Sequence, residues 1–161
     1  MKTIREYKIC KVINPSLPDN ISNTKITGPK QVVKIIRALL GDMINIQENF
    51  FIFYLNSTNN VVGYTHLFSG TSYNLSIDIK LIALHAIKSM AINAIVAHNH
   101  PSGSLSFSKA DNDITDKIKT LFDILNINFY DHIIVTEHSA NSVFNYEIEQ
   151  SPNVQVAENK S

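Results

Sequence analysis

Two histidines one residue apart, His98 and His100, stand upstream of Ser108 and Asp111. Seven residues separate His100 from Ser108, and two separate Ser108 from Asp111. Imidazole nitrogen and carboxylate oxygen are both zinc ligands, binding at about 2.0–2.2 Å. Three protein ligands with one position left open make a catalytic site, whereas structural sites are closed by four. The types and spacing of these residues therefore point to a hydrolytic metal centre held by His98, His100 and Asp111. A lone His-x-His is more often a pair of loop histidines, so the weight rests on the elements that carry them.

Ala94-Ile95-Val96-Ala97 is a short apolar run that reads as a buried strand, with His98 at its C-terminal end. Ligand sites of open α/β sheets gather at such strand ends. A helix begins near Ser108 and carries an apolar stripe of Ile114, Ile118, Leu121 and Leu125. A step back of one helical turn from Ile114 reaches Asp111, on the buried side of the first turn. A carboxylate there is costly unless something compensates it, and a metal ion does so directly. Ser108-Lys109-Ala110-Asp111 also spells an acidic capping box, in which Asp111 reaches back to the Ser108 N–H. The two readings stay open together, since Ser108 can cap the helix and line the site. Asp113 and Asp116 fall off the stripe and read as solvated.

The rest of the chain supplies a sheet and its cover. Residues 1–26 form an extension with a candidate edge strand around Glu6 to Val12. Thr27-Gly28-Pro29 opens a helix with Val32, Val33, Ile36, Leu39 and Leu40 at helical spacing and Gly41 as its stop. Glu48 to Leu55 is apolar on both faces, the mark of a strand covered on both sides. Asn56 to Asn60 is turn chemistry, and Val61 to Phe68 is the return strand of a hairpin. A loop over Ser69 to Ser76 leads to a helix over Asp78 to Met90, with Ile79, Ile82, Ala83, Ala86, Ile87 and Met90 on one face. Phe129 to Thr136 is a further strand, and Ser142 to Tyr146 a candidate partner for it. The expected fold is α/β, a mixed sheet with flanking helices, over residues 27–148. Residues 149–161 form a polar tail expected to be disordered.

The remaining histidines have blander readings. His85 lies off the apolar face of its helix and is expected to be exposed. His66 reads as a surface residue on a strand, and His138 sits in a turn. His132 is the rival third ligand, with a hydrogen-bonded structural role favoured. Asn99 and Ser102 are read as shaping the loop between the ligands.

The chain has 161 residues, 44% apolar and 17% charged, which suits one globular domain. No apolar run approaches the roughly 20 residues of a membrane helix. The N-terminus lacks the apolar stretch of a secretory signal, and Cys10, the only cysteine, permits no intrachain disulfide. A cytoplasmic protein is expected, with no membrane partner. Lys plus Arg equal Asp plus Glu at 14 each, so no basic excess favours DNA. The oligomeric state is not legible.

Beyond these readings, His98-x-His100, Ser108 and Asp111 match the JAMM (MPN+) metallopeptidase motif. The longer string His98-Asn99-His100-Pro101-Ser102-Gly103 resembles the RadC branch of that family. Glu48 opening a strand, Leu67-Phe68-Ser69-Gly70-Thr71 after the hairpin, and Asp131-His132-Ile133-Ile134-Val135 are similar as well. The resemblance covers roughly residues 25 to 146. It implies a cytidine-deaminase-like (JAB/MPN) fold, Zn2+ at His98, His100 and Asp111, and Glu48 as general base. Ser108 would donate a hydrogen bond to the developing oxyanion. The implied activity is cleavage of a peptide or isopeptide amide by a zinc-activated water, with a peptide or protein as substrate. The alternative is a DNA-associated accessory protein in repair or recombination. Two departures stand out. RadC-type proteins usually have Pro before the motif Ser, where this chain has Phe107. The helix-hairpin-helix region of longer members is not expected in a chain of this length. A deaminase is disfavoured, because that chemistry normally uses a Cys-x-x-Cys zinc motif.

Overall fold

The computed structural model describes residues 21, 24–68 and 77–144. The expected edge strand around Glu6 to Val12 and the polar tail lie outside them. Helix α1 spans Pro29–Leu40, with Pro29 in the first turn, where its missing N–H costs nothing. It stops at Gly41, whose φ of 48° is left-handed backbone that a side chain would strain. A 3-10 turn, Gly41–Asn45, follows and leads to strand β1, Asn49–Leu55. Every residue of β1 is buried, as its two-faced apolarity requires. At the hairpin turn Asn56 Oδ1 accepts the backbone N–H of Thr58 and of Asn60, and Asn59 adopts φ 62°. β2, Val61–Phe68, returns antiparallel to β1.

Helix α2 is Ile79–Ser89, capped by Asp78, whose side chain accepts the Lys80 N–H. Strand β3 is Asn93–Asn99, helix α3 is Lys109–Ile124, β4 is Asn128–Val135 and β5 is Ala140–Ser142. Among the described residues the sheet order is β2-β1-β3-β4-β5, and only the β3–β4 pair is parallel. This is a mixed five-stranded sheet with flanking helices, the expected α/β architecture.

Alternation along the strands builds two cores. On one side α1 packs Val32, Val33 and Ile36 against Phe51, Phe53, Ile95, Ala97, Ile133 and Val135. On the other, Ile82 and Ala86 of α2 and Ile118 and Phe122 of α3 cover Phe50, Ile52, Tyr54, Ala94 and Val96. His98 continues the second series and faces α3, whereas Asn99 continues the first.

Some expectations shift. The buried face of α3 runs through Asp111, Thr115, Ile118 and Phe122, with Ile114, Leu121 and Leu125 only partly buried at its edge. Asp111 is on that face, and Asp113 and Asp116 are exposed. The stripe on α2 fails at its C-terminal end. Ile87 is 46% exposed and Met90, in a left-handed cap, is 79% exposed. β3 extends two residues beyond Ala97, so His98 lies inside the ladder, paired with Phe50 and Ile134. Of the expected segment Ser142 to Tyr146, Ser142 ends a strand at Ala140–Ser142, Val143 and Phe144 form a turn, and residues 145 and 146 lie outside the described residues. His85 is half-buried, its Nδ1 2.7 Å from the Thr65 hydroxyl.

Candidate metal centre

His98 and His100 are set by β3: one lies in the ladder, the other just past its end, with the His100 N–H donating to Val135 O of β4. The parallel pairing with β4 thus carries the strand end that aims both rings to one side. Asp111 comes from the first turn of α3. Ser108 and Asp111 form the capping box: the Ser108 N–H donates to Asp111 Oδ2 at 2.7 Å, and the Asp111 N–H to Ser108 Oγ at 3.1 Å. The same carboxylate places Oδ1 3.4 Å from His98 Nε2 and Oδ2 3.7 Å from His100 Nε2. The capping and cluster readings of Asp111 hold at once.

Glu48 stands immediately before β1, half-buried. One ligand-type atom from each of Glu48, His98, His100 and Asp111 lies within 4.8 Å of every other, so the group could hold a metal ion. Tetrahedral ligands at zinc distances stand about 3.3 Å apart. The spacings between the two imidazoles and the Asp111 carboxylate are close to that.

The hydrogen bonds behind the rings decide which nitrogens face the cluster. Thr115 Oγ1 donates to the Asp111 carbonyl, so it accepts from His132 Nδ1–H at 2.6 Å. His132 Nε2 is then an acceptor and takes the His98 Nδ1–H at 2.7 Å. A carbonyl only accepts, so His100 Nδ1–H donates to Ser104 O at 2.8 Å. Both rings therefore present Nε2 to the cluster. Those two nitrogens are 2.8 Å apart, and two lone pairs at that distance repel unless a positive charge stands between them. The donor set fits a metal ion in the same place.

Burial and partners tune each group differently. Phe50 stacks on His98 at 5.9 Å and Phe107 meets His132 edge-on at 5.2 Å, so both rings are fully enclosed. Burial lowers the His98 pKa to about 4 and holds His132 well below the ordinary imidazole value. His100, at the mouth, is raised, chiefly by the Asp111 carboxylate. Burial pushes the Asp111 carboxyl up, but the His100 bond, the His98 ring and the Ser108 donors outweigh it and hold it far below its usual range. Glu48 is raised by burial and by the Asp111 charge, against the opposing pull of His100.

All five sequence-derived site residues are placed: Glu48, His98, His100 and Asp111 converge, and Ser108 caps the helix beside them. His132 joins as the partner of His98, the hydrogen-bonded role favoured for it. His66 stacks on Phe51 at 4.2 Å and holds Asn49 Oδ1 at 3.0 Å, while His138 is exposed in its bend. Thr115 was missed. Its signal was position alone, one turn past Asp111 on the buried face. The role of Asn99 in holding the approach to β1 was also missed.

Comparison with known proteins agrees with the geometry. The model of the RadC-like JAB domain matches residues 26–148. A UPF0758 protein of Flavobacterium johnsoniae is 35% identical over 119 residues, covering 74% of this chain and 51% of the relative. One from Lactococcus lactis subsp. cremoris is 40% identical over 89 residues, covering 55% and 39%. One from Staphylococcus epidermidis is 34% identical over 119 residues, covering 74% and 52%. The chain spans about half the length of the curated relatives it matches. No helix among the described residues is long and apolar enough to cross a membrane. With its mixed sheet, its His98-x-His100 strand end and a domain match over most of its length, the chain belongs to the RadC-like JAB domain family.

Proposed function

We propose that this chain is a zinc-dependent hydrolase that cleaves a peptide or isopeptide amide bond in a protein or peptide substrate. The observation that carries the reading is the convergence of two Nε2 lone pairs and one carboxylate, with a second, half-buried carboxylate at their side. Two imidazoles with one carboxylate suit zinc with an open position. His98, His100 and Asp111 would hold the ion, which when bound supplies Lewis acidity and brings water ionisation toward neutral pH.

The chain's own residues then divide the work. His98 is fixed in one tautomer by His132, and His100 by the Ser104 carbonyl. Glu48, with its raised pKa, accepts a proton from the attacking water and delivers it to the leaving amine nitrogen. The water oxygen bonds to the carbonyl carbon, the C–N bond breaks, and a carboxylic acid and an amine result. Ser108 Oγ accepts the Asp111 N–H and keeps its own hydrogen to donate to the developing oxyanion.

A peptide- and isopeptide-library cleavage screen on the zinc-loaded protein, with Glu48→Gln as control, tests the reading. Turnover by the wild type, lost in a Glu48→Gln protein that still holds zinc, is expected. Turnover surviving in that variant contradicts the assignment, and loss of zinc makes Glu48 a ligand.

A further inference from the structure

Asn99 lies between the two histidines of the cluster and points away from it, onto the α1 side of the sheet. It is fully buried and makes three hydrogen bonds, all to one stretch of main chain. Its Nδ2 donates to Ile44 O at 2.7 Å and to Gln47 O at 2.9 Å. Its Oδ1 accepts the Asn49 N–H at 2.7 Å. Ile44 belongs to the 3-10 turn, and Gln47 and Asn49 are the two neighbours of Glu48. The amide orientation is fixed by its partners, since two carbonyls demand donors and an N–H demands an acceptor.

We infer that Asn99 is the positioning residue for Glu48: the strand that presents His98 and His100 also holds the backbone on either side of the proposed proton carrier. The inference rests on the reading of Glu48 given above. β1 pairs with β3 only from Phe50 onward, opposite His98. The ladder therefore ends two residues short of Glu48, and the Asn99 side chain takes over where it stops. Among side chains of this size only asparagine offers two donors and an acceptor in that fork. Asp supplies no donor when ionised, and Ser only one. Asn49 adds a brace, its Nδ2 donating to the same Gln47 carbonyl at 2.9 Å. The consequence is geometric. On the side of the cluster the approach to Glu48 is held by one amide, since the turn has no buried apolar residue besides Ile44.

Two variants test this. Asn99→Asp keeps the shape and the acceptor but removes both donors, and Asn99→Ala removes all three bonds with no steric demand. The probe is Co2+ alone, added to chelated full-length protein. The pH dependence of its visible absorption is followed in wild type, Glu48→Gln and both Asn99 variants, beside cobalt affinity by chelator competition. The expected result is unchanged cobalt affinity with the pH midpoint moved from the wild-type value to that of Glu48→Gln. In the cleavage screen, kcat falls on the order of 100-fold, as for a misplaced catalytic group, with KM unchanged. A wild-type midpoint in both Asn99 variants overturns the inference. So does an affinity loss of about 10-fold or more in both, the mark of a residue that braces the ligands or the fold instead. If Glu48→Gln itself keeps the wild-type midpoint, the reading of Glu48 fails first and takes this inference with it.

Discussion

The inner wall and the mouth of the cluster are built on opposite terms. At the wall, His98 and His132 are fully buried between Phe50 and Phe107 and hydrogen-bonded to each other, and His132 is bonded to Thr115. At the mouth, Glu48 and His100 are half-buried, Glu48 between backbone groups that Asn99 holds and His100 bonded to the Ser104 carbonyl. Burial depresses the wall histidines, whereas Asp111 raises His100 and desolvation raises Glu48. The wall is fixed in one protonation state and one tautomer, and the mouth can exchange protons. The hydrolysis proposed for this site calls for both properties, and they lie on two sides of one cluster.

The sharpest way to break this contrast is to delete each imidazole in the chelated protein. His98→Ala empties a ring-sized space and strands the His132 acceptor, so a loss of about 3–5 kcal/mol is expected in urea unfolding. His100→Ala should cost about 1 kcal/mol, the worth of its bond to Ser104 O. Equal costs would erase the distinction. Next in size, Thr115→Val keeps the shape of α3 but removes the acceptor that orients His132. Zinc affinity should fall about 10–100-fold by chelator competition, with the fold intact by circular dichroism. An unchanged affinity would mean the ligand tautomer is set without Thr115. Ser108→Ala should cost about 1 kcal/mol of stability through the lost cap. A far larger loss would assign Ser108 a role beyond the capping box.

The smallest effect is in pH. For the wall histidines the folded pKa lies below the unfolded value, so their stabilisation is present above about 6.5 and is lost on acidification, for His98 as pH falls toward about 4. His100 has the opposite sign: its contribution is present below about 6.5 and is lost as pH rises through its raised value. The chelated protein should therefore be most stable near the ordinary imidazole range, by thermal unfolding across pH. Zinc binding should turn the maximum into a rise with pH up to the imidazole range, because bound imidazoles take up no protons while the unfolded ones still do. A monotonic rise in the stability of the chelated protein through that range would show that the mouth histidine is not coupled to Asp111.

How much of this was legible varies with the range of the interaction. His98, His100 and Asp111 could be read from local order, because a strand end and a helix first turn each put their residues in known directions. β1 was legible because seven buried residues leave no polar alternation. Glu48 came from the family resemblance, since its own strand face says only that a carboxylate stands at the end of an apolar row. Phe107 departs from the usual Pro and packs against both wall rings, at 6.1 Å from His98 and 5.2 Å from His132. Thr115 and the Asn99 clamp were hidden because their partners are distant along the chain: Thr115 and His132 are 17 positions apart, and Asn99 and Ile44 are 55 apart. The overextended stripe of α2 has a different cause. Apolar periodicity records which residues share a face, not how much of that face is covered.

The central claim is that His98, His100 and Asp111 share a single zinc ion. Equilibrium dialysis of chelated wild type and Asp111→Asn against zinc tests it most directly. One zinc per wild-type chain is expected, with loss of stoichiometric binding in Asp111→Asn. A variant that retains one zinc at wild-type affinity, or a wild type that takes up none, would contradict it.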